Sequence, residues 1–190
     1  LPFGALAQQA AAVARLRCLA TESRWEQGEI WTDTRFAVLE TEKGTLPQQI
    51  TVRTLGGRAG GLQAHVDGAP RFHPGEEVYL FLWAPAGEPY RVLGWAQGTF
   101  RIMKNPRTGQ ATVTQESVAM PVFDPQRREF RSTGFRRVPL GDFRERLRRA
   151  VAEARVEQGL KVIRPGLGVD PGFSGPADIH PEGANRIRET

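Results

Sequence analysis

Three histidines, one cysteine, a few close carboxylates and one glycine-rich bend are the material from which chemistry would have to be built. His65 and His73 flank a turn, and His180 stands between Ile179 and Pro181. A zinc site needs three or four ligands at workable spacing, and scattered histidines with one cysteine do not supply it. Glu76 and Glu77 are adjacent, so on a strand they point to opposite faces and cannot share a substrate. Asp170 and Asp178 lack the spacing of an EF-hand loop. Gly56, Gly57, Gly60 and Gly61 would cradle a phosphate only with a helix start and a Lys-Ser or Lys-Thr pair behind them. The next residues, 62–70, hold no such pair and end in Ala69-Pro70, so the glycines read as a bulge or tight bend. No Gly-x-Ser-x-Gly elbow or His-Glu-x-x-His helix occurs. The expectation is therefore no catalytic residues, no metal, no cofactor and no small-molecule substrate: a protein that is not an enzyme.

Those residues must sit on something. A chain of 190 residues can bury a real core as one domain with appendages. The net charge is +5, yet residues 127–149 alone hold nine arginines against Glu129, Asp142 and Glu145. The basic character is thus local, and Arg127, Arg128, Arg131, Arg136 and Arg137 form a candidate basic patch. No apolar run approaches the roughly 20 residues of a membrane span. The single cysteine, Cys18, forbids an internal disulfide and alternates with Leu16 and Ala20, so it reads as a small buried hydrophobe. The chain opens on Leu1 rather than methionine, which points to signal-peptide cleavage and an exported, extracellular protein.

Short runs rich in β-branched and aromatic residues, each closed by Gly, Pro or Asp, fill residues 30–103 and read as antiparallel strands. Ile30, Thr32, Thr34, Phe36 and Val38 share one strand face, and Ile50, Val52 and Thr54 alternate in the next. Residues 78–83 are nearly all apolar and predict a central strand buried on both sides. Alanine-rich residues 5–14 predict a short helix, and residues 141–158 a second one. Asp142 suits the start of that second helix, Phe143, Leu147, Ala150, Val151 and Ala154 form its apolar stripe, and Gly159 ends it. Its arginines read as a solvated face. From 159 to 190 the chain turns Gly/Pro-rich and cannot bury enough to offset its ordering entropy alone. The fold class expected is mainly β: a single antiparallel OB-like barrel or sandwich with a short N-terminal helix, one C-terminal helix, and an extended tail. The domain spans residues 1–158, and the tail 159–190.

The order Trp25, Ile30-Trp-Thr-Asp-Thr, Glu42-Lys-Gly-Thr-Leu-Pro, Ile50-Thr-Val-Arg, Gly56-Gly, Phe72-x-Pro-Gly-Glu-x-Val-x-Leu-Phe-Leu and Gly94-x-x-x-Gly-x-Phe resembles a group of uncharacterised exported bacterial proteins. More distantly, it is similar to the netrin/TIMP-like variant of the OB barrel. The resemblance covers about residues 5–102 and implies a fold more than a function. TIMP-type inhibition works through an N-terminal cysteine, and this chain starts with Leu1, so that activity does not carry over. The function expected is a secreted interaction module whose tail docks on protein partners, other copies of itself above all, with an extracellular filament or homopolymer as the bolder form. The docking residues are Leu160, Val162, Ile163, Leu167, Val169, Phe173 and Ile179, with residues 160–163 adding a strand to an open sheet edge. Two alternatives stand beside it: a binding or inhibitory partner of an extracellular protease, and an OB-type single-strand nucleic-acid binder. In the latter, bases would stack on Trp25, Trp31 or Trp95 while Arg127, Arg128 and Arg131 meet phosphates.

Overall fold

A computed structural model describes residues 1–119, 122–131 and 134–163. Helix α1 (Phe3–Gln9) is followed by strands β1 (Ala12–Glu26), β2 (Glu29–Lys43), β3 (Gln49–Leu55), β4 (Gly57–Ala59), β5 (Leu62–Ala64), β6 (Glu77–Trp83), β7 (Arg91–Val92), β8 (Thr99–Lys104), β9 (Ala111–Gln115), β10 (Val122–Asp124), β11 (Glu129–Arg131) and β12 (Val138–Pro139), and then by helix α2 (Leu140–Ile163). The expectation of a mainly β, antiparallel protein with a helix at each end holds. The main sheet runs β12-β9-β8-β6-β1-β2-β3, with β7 beside β6. Tyr90 also bridges to β3, donating to Thr51 O at 3.0 Å and accepting from Arg53 N at 2.8 Å. The segment 90–92 thus touches the β3 edge and β6 in turn.

β6 organises the core as its apolar run predicts. Val78, Leu80 and Leu82 enter one cluster with Leu16, Cys18, Phe36, Ile50, Val52 and Phe72. Tyr79 and Phe81 enter the other, with Leu6, Phe100, Val113, Phe143 and Leu147. A strand with an apolar layer on each side needs no alternation, which is why this one shows none. β1 crosses both layers too: bulges near Val13, Arg15 and Cys18 bend it, and Val13 faces the helices while Ala14 and Leu16 face the other cluster.

The α2 stripe is borne out residue for residue: Phe143, Leu147, Ala150, Val151 and Ala154 are all buried. The arginines behind it do more than meet water. Arg144 reaches Glu40 at 2.5 Å, and Arg148 reaches Glu40 at 2.9 Å and Glu42 at 3.1 Å, which ties the helix to β2. Three expectations are corrected. The first helix stops at Gln9, because Ala11 N pairs with Leu82 O and draws the remaining alanines into β1; tertiary pairing overrides alanine's propensity. The second helix does not stop at Gly159 but runs to Ile163. An interior glycine costs only about 1 kcal/mol, and just before it Gln158 donates to Gln8 O at 3.1 Å and Glu157 accepts from Gln8 at 2.7 Å, which docks this stretch of helix on α1. Residues 160–163 are therefore helical and add no strand. Leu167, Val169, Phe173 and Ile179 lie outside the described residues.

Candidate functional site: a tryptophan cleft

The glycines do what the bend reading requires. Gly60 and Gly61, with φ of 56° and 78°, form the two-residue turn of the β4–β5 hairpin. Gly57 takes φ 137°, and a Cβ there would run into the Ser23 and Thr32 hydroxyls, so only glycine lets β3 turn into β4 this closely. The hairpin lies beside a hollow of about 290 Å³ lined by Thr21, Thr54, Arg58, Gln63, Arg71 and Phe72, among others.

Through Thr54 and Leu55 that hollow adjoins a smaller cavity of about 120 Å³, walled by Trp31, Trp83, Trp95, Arg53, Arg91 and Pro70. The three indoles come from three places in the chain. Trp31 is on β2, turned away from the Ile30 and Phe36 side. Trp83 ends β6, just past the point where both faces are covered, and is 43% exposed. Trp95 is 44% exposed and has φ 51°, a conformation a bulky residue rarely adopts and one that costs about 1–3 kcal/mol. Its surroundings hold it there: Ala96 N donates to Gly68 O at 3.1 Å, and the Thr99 hydroxyl donates to Trp95 O at 3.0 Å.

The cations of the cleft are fixed in place. Arg91 lies over the Trp31 ring, 4.6 Å from its centroid, and donates to Glu88 at 2.9 Å. Arg53 grips Asp33 with two bonds, 2.7 and 2.9 Å long. The hydrogen bond from Arg53, reinforced by the charges of Arg53, Arg24 and Arg91, holds the Asp33 carboxyl below the usual carboxylate range despite its partial burial. The same pairing raises Arg53. The result is a rigid wall of flat apolar rings and held guanidiniums, suited to gripping an extended chain.

The other residues singled out by the sequence fall elsewhere. Trp25 is exposed near the β1–β2 turn and takes no part in the cleft. Arg127 and Arg128 are exposed at the turn between β10 and β11, and Arg131 is on β11. Arg136 and Arg137 are exposed just before β12. Neither group lines the cavity that holds Trp31 and Trp95, so the stacking rings and the basic patch do not form one surface there. Glu76 and Glu77 diverge as expected: Glu77 takes Arg15 and Arg17, whereas Glu76 takes Arg101 and His73. His65 lies against Asp67, and no group of three metal-ligating side chains occurs among the described residues. Cys18 is buried, and burial, with the Glu76 charge, pushes its thiol up. No helix among the described residues is long and apolar enough to cross a membrane. Trp83 is the member that sequence reasoning misses. It reads as part of the central strand, and only its place as the last residue before Ala84-Pro85 hints that it lies beyond the covered part.

No protein-family model matches the chain, and neither curated proteins nor solved structures match it.

Proposed function

We propose that this chain is an exported, non-enzymatic interaction module, an OB-like barrel of the netrin/TIMP kind that docks on other protein subunits through its C-terminal segment. Repeated docking would build an extracellular filament or another homopolymer. One observation carries the reading: every buried apolar side chain among the described residues lies between Leu6 and Ala154. In this reading the final segment docks on a surface of another subunit. Helix α2 leads into that segment with Val156 and Leu160, one turn apart and 63% and 60% exposed, on its outer side. The Tyr90 link between β3 and the segment that pairs with β6 supports the barrel half of the reading.

The test is a deletion of residues 164–190. Wild type is expected to show mass growing with concentration in multi-angle light scattering, and the deletion variant to remain a folded monomer with unchanged circular dichroism. Equal assembly of the two proteins would remove the proposal.

A further inference from the structure

We infer that the tryptophan cleft and the adjoining hollow are the acceptor that receives residues 165–183 of a second copy of this chain. This rests on the docking reading above and names the surface where docking happens. Two independent features of the surface match that segment.

The first is shape and ring chemistry. Trp83 and Trp95, 43% and 44% exposed, line a small cavity together with Trp31 and Pro70. Aromatic-walled grooves of this kind take proline-containing chains, because proline holds the chain extended before it binds and its ring lies flat on an indole. Residues 165–183 contain Pro165, Pro171, Pro176 and Pro181.

The second is charge. Arg53, Arg91 and Arg101 are each paired with a carboxylate. Arg58 and Arg71, on the rim of the larger hollow, are not: Arg58 reaches only Gln63, at 3.0 Å, and Arg71 only Ala64 O, at 2.9 Å. Both side chains are exposed and meet no acidic partner among the described residues. Residues 165–183 carry Asp170, Asp178 and Glu182 and neither lysine nor arginine, and each of these acids lies within two residues of a proline. A ribbon of prolines interleaved with carboxylates thus complements a surface of indoles flanked by two uncommitted guanidiniums. Reach is not limiting, since an extended chain advances about 3.1 Å per residue and 27 residues follow Ile163.

The experiment is a charge swap in the full-length chain, read by sedimentation velocity across a concentration series. Arg58→Glu with Arg71→Glu should weaken self-association by about tenfold or more. Asp170→Lys with Asp178→Lys and Glu182→Lys should do the same. An equimolar mixture of the two variants should associate again, because each supplies the surface the other lacks. Because Arg58 and Arg71 are exposed, circular dichroism melts of the arginine variant should match wild type. In a parallel arm, Trp83→Ala with Trp95→Ala should weaken association without regard to salt, whereas the charge variants should lose their difference from wild type at high salt. If the charge and tryptophan variants assemble like wild type while deletion of 164–190 abolishes assembly, the acceptor lies elsewhere and only this inference falls. A wild type that stays monomeric throughout sinks the docking reading with it. Tryptophan fluorescence that changes on tail deletion, with no dependence on concentration, would mean the segment lies on its own body and would overturn the second-copy assignment.

Discussion

Phe3, Phe81, Phe100, Phe135 and Phe143 meet beneath α2 with ring centroids 4.6–6.0 Å apart, whereas Trp31, Trp83 and Trp95 stand around an open cleft past the end of β6. Both clusters draw on β6, through Phe81 in one case and Trp83 in the other, only two residues apart. The phenylalanines interlock in edge-on and tilted pairs and have nothing polar to satisfy, so a helix can seal them. Trp83 and Trp95 stay partly exposed, while Arg91 covers the Trp31 ring and Arg53 is held by Asp33. One cluster is buried core; the other is half-exposed, which is the contrast that substitution can test.

Substitution tests that contrast most sharply. Phe143→Ala should cost about 3–5 kcal/mol in urea unfolding, as removal of a fully buried aromatic does. Trp83→Ala should cost less than about 1 kcal/mol, as most surface changes do. Comparable losses would mean that the cleft is core after all.

Acid separates the clusters in a second way. The Asp33 carboxyl is depressed in the folded protein by its bond from Arg53, so its contribution is complete above the unfolded value and is lost as pH falls through the lower, folded one. Below about pH 4, wild type should lose stability more steeply than Asp33→Asn, with tryptophan emission shifting as Arg53 is released. Parallel pH profiles for the two proteins would show that the clamp does not exist in solution.

One effect expected on the phenylalanine side is a gain. The Tyr79 hydroxyl is buried beside Phe143 with no hydrogen-bond partner among the described residues, and burial, with the charge of Glu40, pushes its pKa up to about 12. Tyr79→Phe removes an unpaired polar group and should raise stability by about 1 kcal/mol. A loss of that size would show that the hydroxyl is satisfied.

How much of the molecule is legible in its sequence depends on whether the signal is local. The α2 stripe repeats every three to four residues and is readable to the residue, as is the unbroken apolar run of β6. The end of α2 is not, because a glycine reads as a stop while the contacts that dock this stretch of helix, at Glu157 and Gln158, come from Gln8, some 150 residues away. The expected strand at 160–163 fails for the same reason. The cleft is only half visible: Trp31 and Trp95 stand out as stacking rings, but nothing along the chain joins residues 31, 83 and 95. Their meeting comes from the β6–β7 pairing and the Tyr90 bridge to β3.

Cys18 sits at 1% exposure in the cluster between β1, β2 and β6, and it is the chain's only thiol. A thiol reagent can reach it only when that interior comes apart, and its raised pKa leaves it mostly uncharged and slow to react before then. The molecule therefore carries its own clock for spontaneous opening: the rate at which one sulfur is labelled under native conditions counts how often the body unlatches. Because Cys18 shares its core cluster with Phe72, which lines the larger hollow, a slower clock on assembly would report that docking there tightens the fold.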